Sequence, residues 1–108
     1  MQKEFTDKDL SNLTVREYLE KNPYLLFDGA MGTYYAAITK DEAVQCELAN
    51  LENPSVISGI HREYLQAGSK AIKTNTFGAS LPAYEGDDDK LRTVLTAGWN
   101  LAITEAEK

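Results

Sequence analysis

Two short segments with strand character limit what this chain can form. Residues 24–27 are continuously apolar, as in strands that a parallel sheet covers on both faces. Residues 71–77 are rich in β-branched side chains, and a helical pattern lies between the two segments. The order strand, helix, strand, helix predicts an α/β fold. Because two parallel strands cannot complete a covered sheet, the 108 residues are expected to form only the beginning of a larger domain.

The N-terminal third is predicted to contain one short helix and one long irregular segment. The capping-box pattern at 14–17 predicts a helix. That helix is expected to end near Asn22, because Pro23 disfavours the helical conformation in the residue before it. Residues 34–53 are mixed in character and are predicted to be a loop with a short helical piece.

Two longer helices are predicted in the rest of the chain. Asn53 as N-cap and Pro54 as the first helical residue begin the central helix. Gly68 is placed to end that helix in a left-handed C-cap. The last helix is predicted to start near Asp89 and to reach Lys108 without a stop signal.

Charge and composition argue against several classes of partner. The chain has 11 Lys and Arg against 17 Asp and Glu, for a net charge of −6, which is unfavourable for binding the phosphate backbone of a nucleic acid. It contains no apolar run of about 18 residues that could span a membrane. The polar first residues do not resemble a secretory signal, and a single cysteine excludes an internal disulfide. We therefore expect a cytoplasmic protein with neither a nucleic acid nor a membrane partner.

The segment DGAMGT at 28–33 is the strongest candidate site, because it directly follows the first predicted strand. A carboxylate at the carboxyl end of a parallel strand, next to glycines, occupies the place where α/β enzymes build their sites. Asp28 is suited to bind a ligand ammonium, such as that of an amino acid. The alternative is that Asp28 only caps the turn and that the glycines only permit it.

The second candidate segment is KTNTF at 73–77, at the end of the second predicted strand. Asn75 and Thr76 can form hydrogen bonds with a ligand, and Phe77 can form a wall of its pocket. The alternative, favoured by the pattern alone, is a polar strand end that leads into a loop.

Other polar residues are better explained by structural roles. Cys46 and His61 are the single cysteine and histidine, too few for a zinc site within the chain. His61 is expected to pack or to face solvent rather than to act as a general base. The acidic run at 87–89 is explained by the favourable interaction of carboxylates with a helix N-terminus.

Several motifs together resemble the homocysteine S-methyltransferase family. LFDGAMGT at 26–33 is similar to the opening of that family's domain, and similar segments follow in order over roughly residues 24–80. They are ELAN at 47–50, NPSVI at 53–57, IHREYLQAG at 60–68 and KTNTFG at 73–78. Such modules begin cobalamin-dependent methionine synthases and enzymes fused to a methylenetetrahydrofolate reductase.

The resemblance implies a fold and a set of substrate contacts. The family folds as a (β/α)₈ TIM barrel, of which this chain would supply the first two βα units. Residues 1–22 would form an N-terminal helical extension, and residues 23–108 the first part of the homocysteine-binding barrel domain. By matching position, Asp28 and Gly29 would hold the amino-acid end of homocysteine. Met31 and the residues Asn75, Thr76 and Phe77 would line the pocket.

The resemblance also implies a metal and a methyl donor. The family transfers a methyl group to the homocysteine thiol, making methionine, and Zn²⁺ activates that thiol as a thiolate. Its zinc ligands are cysteines on late strands, which have no counterpart here, so the expected full-length methyltransferase would carry the zinc elsewhere. The 108-residue chain alone is expected to contain no catalytic residue and to be inactive. Relatives use several methyl donors, and cobalamin or a folate is possible for this protein.

Two other functions remain open from the residues. One is a non-catalytic βα fragment, or a binding module whose sheet a partner completes. The other is a different barrel enzyme that uses Asp28 as an acid or base on another amino-acid-like substrate.

Overall fold

A computed structural model describes residues 14–40 and 45–108. The predicted extension at 1–22 therefore lies largely outside the described residues, as do positions 41–44 of the predicted loop. Five α-helices form the described part, with a 3₁₀ turn at Cys46–Leu48. They are α1 (Val15–Lys21), α2 (Gly32–Thr39), α3 (Ala49–Glu52), α4 (Pro54–Gln66) and α5 (Asp88–Ala106).

The two predicted strands are reduced to a single contact. Phe27 and Ala71 form an isolated parallel bridge, and no extended strand is present in the described residues. The prediction of a strand over 71–77 is therefore wrong in extent. The pairing ends because the Lys73 backbone N–H donates to the Asp28 side-chain carboxylate, 3.0 Å away, rather than to the Asp28 main-chain carbonyl that would continue the ladder. The Thr76 N–H then bonds back to the Thr74 carbonyl at 3.0 Å, and the chain turns.

The helix α2 corrects the prediction that residue 34 begins a loop. Met31 is its N-cap and provides no side-chain hydrogen bond, and Lys40 ends it in the left-handed conformation, at φ 63°. Contacts with the rest of the chain hold α2 in place: Tyr35 is buried in the core, and the Tyr34 hydroxyl donates to the Glu63 carboxylate on α4. The loop prediction failed because local signals for a helix are weak here.

The other helix ends follow the sequence signals closely. At the start of α1, the Glu17 N–H donates to the Thr14 hydroxyl at 3.1 Å, as the capping box predicts. Pro54 is the first residue of α4, although Asn53 makes no side-chain capping bond. Gly68 follows α4 at φ +115°, a conformation that favours glycine. Asp87 caps α5 by accepting from the Lys90 N–H at 3.0 Å.

The core lies around α4, which packs against α2, α3 and α5. The buried apolar side chains of this core come from all of these elements. Among the described residues, no helix is both long and apolar enough to cross a bilayer. Helix α5 approaches closely because Gly98 has no side chain: a Cβ there would lie 2.8 Å from the Asn50 amide nitrogen. The buried apolar residues are Tyr35, Ala49, Ile57, Ile60, Tyr84, Val94 and Ala102.

Candidate functional site

An open cavity of about 490 Å³ lies where the two bridged segments end. The segments after Phe27 and Ala71 run side by side from the parallel bridge and then diverge around this space. All of the residues that the sequence singled out as substrate contacts line it. They are Asp28, Gly29, Met31, Asn75, Thr76 and Phe77.

Asp28 lies against the cavity with its carboxylate already engaged. The side chain is only 4% exposed, and Oδ2 accepts a hydrogen bond of 3.0 Å from the Lys73 backbone N–H. Oδ1 forms an ion pair with the Lys73 ammonium, which also donates to the Asp28 carbonyl at 3.3 Å. The carboxylate is therefore held in place by Lys73, which also neutralises its charge. The sequence did not predict this role of Lys73.

Tyr64 on α4 fixes the chain just after Asp28. Its hydroxyl donates to the Ala30 carbonyl at 2.7 Å, and its ring packs edge-on against Tyr34 at a centroid distance of 6.1 Å. The same hydroxyl lies close to Gly29, where a Cβ would be 2.9 Å from it. The aromatic pair thus sets the path of the backbone that forms one side of the cavity.

Asn75 belongs to a buried amide network behind the cavity. Its Nδ2 donates to Asn50 Oδ1 and to the Cys46 carbonyl, both at 3.0 Å. Asn50 Nδ2 donates in return to the Asn75 carbonyl at 2.9 Å and to the Val94 carbonyl at 3.3 Å. The amide of Asn75 is therefore committed mainly to holding the cavity wall in place.

The other predicted residues differ in how they face the cavity. Met31 is half-buried and also packs against the core cluster. The Thr76 hydroxyl forms a hydrogen bond of 2.8 Å with the Thr74 hydroxyl. Phe77 is fully exposed. That these residues bind substrate stays a prediction.

Glu47 also lines the cavity, and sequence reasoning gave it no role. It is buried, and Oε1 accepts from the Gly78 N–H at 3.0 Å. Its other oxygen, Oε2, has no hydrogen-bond partner within the described residues, and the same is true of the nearby Tyr84 hydroxyl. Burial raises the pKa of that hydroxyl, and the charge of Glu47 raises it further. Glu47 and Asn50 are three residues apart, a spacing that places both side chains on one side of the helical turn at 46–52, and this spacing could have identified Glu47 from the sequence.

Cys46 and His61 lie in different environments in the structure. Burial raises the pKa of the Cys46 thiol, and a hydrogen bond to Asn75 Oδ1 at 3.4 Å partly opposes the shift. His61 was expected to pack or to face solvent, and it is fully buried, although neither ring nitrogen has a partner among the described residues. Burial lowers the pKa of its imidazole, against the charges of Asp28 and Glu105.

The described residues do not provide a zinc site. They contain no group of three histidine, cysteine, aspartate or glutamate side chains placed to hold a metal ion. Cys46 lies in the cavity wall, and burial raises the pKa of its thiol, which disfavours the thiolate that a metal would need.

A second cavity, of about 500 Å³, is separate from the predicted residues. It contains the ion pair between Arg62 on α4 and Glu105 on α5, with hydrogen bonds of 2.9 and 3.2 Å. The hydrogen bond from Arg62 lowers the pKa of the buried Glu105 carboxyl. This pair ties the two longest helices together.

Comparisons with known proteins agree on one family. The family described as Homocysteine S-methyltransferase matches residues 25–108. A methionine synthase of Mycobacterium tuberculosis is 34% identical over 110 residues, which covers 94% of this chain and 9% of the relative. A methionine synthase of Mycobacterium leprae is 37% identical over 89 residues, which covers 75% of this chain and 7% of the relative. The chain thus spans less than a tenth of either relative, and no solved structure matches it significantly.

Proposed function

The chain belongs to the homocysteine S-methyltransferase family, and from this premise we propose that it takes part in methyl transfer to homocysteine. In this reaction the thiol sulfur loses its proton and gains the methyl group, which gives methionine. The observation that carries the proposal is the single cavity lined by all six residues expected to contact homocysteine. The chain spans a small part of its relatives, so the enzyme would be the longer protein that contains it.

In this proposal the chain binds the amino-acid end of the substrate. The Asp28 carboxylate, held by the Lys73 N–H at 3.0 Å, pairs with the substrate ammonium through a charge-assisted hydrogen bond. The backbone at Gly29 approaches the ligand closely, and Tyr64 holds that backbone in place. Met31 contributes an apolar wall, which suits the methylene groups of homocysteine.

The second segment completes the proposed binding surface. The amide network of Asn50 and Asn75 fixes the backbone directly before Thr76, whose hydroxyl pairs with that of Thr74. Phe77, which is fully exposed, is available to cover a bound ligand. Both segments would present their groups at the carboxyl ends of parallel strands, where barrel enzymes place their sites.

We further propose that residues 23–108 form the first part of a TIM barrel. Support comes from the parallel bridge between Phe27 and Ala71, with helix α4 as the crossover between them. A longer pairing would need further strands on either side of these two segments. Residues 1–22 would be an extension that precedes the barrel.

In this proposal, residues outside this chain bind the zinc ion. Bound elsewhere in the protein, zinc would keep the homocysteine thiol deprotonated at neutral pH. The described residues do not fit such a site, so their part is to bind and orient the substrate. The methyl donor, a folate or methyl-cobalamin, would also bind mainly outside this segment.

The test is homocysteine binding to the longest natural polypeptide that carries this sequence, measured by calorimetry. We expect Asp28→Asn to weaken binding by about 30-fold or more, because a desolvated charge pair is worth about 2–5 kcal/mol. Asp89→Asn, which removes the same charge from the exposed first turn of α5, is the matched control and is expected to bind normally. Normal binding by Asp28→Asn, with a large loss of stability, would return Asp28 to a turn-capping role.

A further inference from the structure

Besides Asp28 and the buried Glu47, the cavity is lined by a charged group that the proposed substrate contacts leave unused, Lys73. The Lys73 side chain is 59% exposed, whereas its partner Asp28 is 4% exposed. Among the described residues, the Lys73 ammonium contacts the Asp28 carboxylate, the Asp28 carbonyl at a long 3.3 Å, and the Phe27 ring, whose centroid is 5.7 Å away. The lysine end of this ion pair is therefore the end that can move.

The ion pair occupies the position that a substrate ammonium would take. One Asp28 oxygen accepts from the Lys73 backbone N–H, and the other is paired with the Lys73 ammonium. The backbone hydrogen bond is fixed by the fold, so an incoming ammonium would compete with the lysine ammonium for the other Asp28 oxygen. The displaced lysine would then be an unpaired cation at the edge of the cavity.

An amino acid restores the charge balance that this exchange disturbs. It carries an ammonium and a carboxylate on one carbon atom and is neutral as a whole. Its ammonium can pair with Asp28 while its carboxylate pairs with the released lysine, so one ion pair becomes two. An amine without a carboxylate would leave the lysine unpaired, and an acid without an amine would leave the lysine bound to Asp28.

We propose that Lys73 is the carboxylate anchor of this site and that it selects α-amino acids by exchanging its ion pair with Asp28 for one with the substrate. This inference rests on the proposed function, since it takes homocysteine as the ligand. The long, exposed lysine stem allows the ammonium to turn from Asp28 toward the cavity without a change in the backbone.

The experiment compares three thiols for binding to the longest natural polypeptide that carries the sequence. They are homocysteine, aminopropanethiol, which lacks the carboxylate, and mercaptobutanoate, which lacks the ammonium. We expect Lys73→Met to weaken homocysteine binding roughly ten- to hundredfold, the usual range for a hydrogen bond to a charged group. Mercaptobutanoate binding is expected to change much less, because that acid leaves the lysine on Asp28. Aminopropanethiol is expected to bind Lys73→Met as well as the wild type or better, because no lysine competes with it.

Two further variants separate charge from folding. Lys73→Arg keeps the cation and is expected to recover most of the homocysteine affinity. Lys70→Met removes an equivalent charge from an exposed position outside the cavity and is expected to leave all three affinities unchanged. Equal weakening of all three thiols by Lys73→Met, or tighter homocysteine binding, would overturn the inference.

A measurement on the wild-type protein does not depend on the folding of any variant. Acetylation of Lys73, followed by mass spectrometry with Lys70 as the internal standard, is expected to increase when aminopropanethiol binds. Binding of aminopropanethiol without such an increase would contradict the exchange. If the wild type does not bind homocysteine, the proposed function fails; if it binds homocysteine and Lys73→Met binds equally well, only the present inference fails.

Discussion

The hydroxyl of Tyr64 lies 2.9 Å from the position that a Cβ atom on Gly29 would occupy. Two ring carbons of the same tyrosine, Cε1 and Cζ, lie 3.1 and 3.3 Å from that position, so the hydroxyl end of the ring faces the glycine. The tyrosine cannot simply rotate away, because its hydroxyl also donates to the Ala30 carbonyl at 2.7 Å. Residue 29 is therefore a glycine because α4 places a tyrosine against the backbone.

We predict that Gly29→Ala destabilises the protein by about 1–3 kcal/mol, the usual cost of overpacking, and also weakens homocysteine binding. The matched control is Gly59→Ala, within α4, where a Cβ meets nothing within 4 Å. That control is expected to raise stability by up to about 1 kcal/mol, because alanine favours the helix. Chemical denaturation of both variants gives the two free energies of unfolding. If Gly29→Ala is as stable as the wild type, Tyr64 moves away from the new Cβ atom without measurable cost.

The amino-acid sequence predicts this site only in part. The strand-end rule located Asp28 and Asn75, because it needs only an apolar run followed by polar residues. It could not identify Lys73, which is 45 residues from Asp28, or the reason for Gly29, which depends on how Tyr64 on α4 packs. Such contacts are set by tertiary packing between distant segments and leave no local pattern.

The amide pair Asn50 and Asn75 leads to a second prediction. Asn75→Asp removes the donor that serves both Asn50 Oδ1 and the Cys46 carbonyl, and places a carboxylate among acceptors. We expect a loss of about 1–3 kcal/mol, the cost of unsatisfied buried groups. Asn100→Asp, at an exposed position on α5, makes the same change in charge and is expected to stay within about 0.5 kcal/mol of the wild type. A similar small effect at Asn75 would mean that the network adds little to stability.

His61 leads to a prediction about pH. Burial lowers the pKa of its imidazole below the ordinary value of 6.5, so the unfolded chain takes up a proton more readily than the folded chain. Stability linked to His61 is therefore present above about pH 6.5 and is lost as the pH falls from there toward the folded pKa, with a slope of at most about 1.4 kcal/mol per pH unit.

The measurement compares the wild type with His61→Phe at pH 7.5 and 5.5. Phenylalanine has a similar shape and removes both unpartnered nitrogens. We expect the variant to gain stability relative to the wild type at the lower pH, because it has no imidazole to take up a proton at position 61. Parallel pH curves for the two proteins would show that His61 takes up its proton without cost in the fold.

The helices show the same division between local and distant causes. The sequence predicted α1, α4 and α5 because Thr14, Pro54 and the acidic run at 87–89 mark their first turns. It missed α2, which has no side-chain cap and depends on contacts such as that between Tyr34 and Glu63. It overestimated the strands, since apolar, β-branched segments form a ladder only when neighbouring strands are present.

The last prediction concerns the 108 residues as an isolated polypeptide. The two strand segments share a single bridge, and these segments carry exposed large apolar side chains such as Tyr24, Phe27 and Phe77. Folding must offset a backbone entropy of about 1–2 kcal/mol per residue by burying apolar surface, at roughly 25 cal/mol per Å². With so little covering this side, we expect no cooperative monomer: circular dichroism should show helix that melts over a broad range, with concentration-dependent association. A sharp two-state transition of a monomer, independent of concentration, would contradict this and would show that the helices around α4 form a sufficient core by themselves.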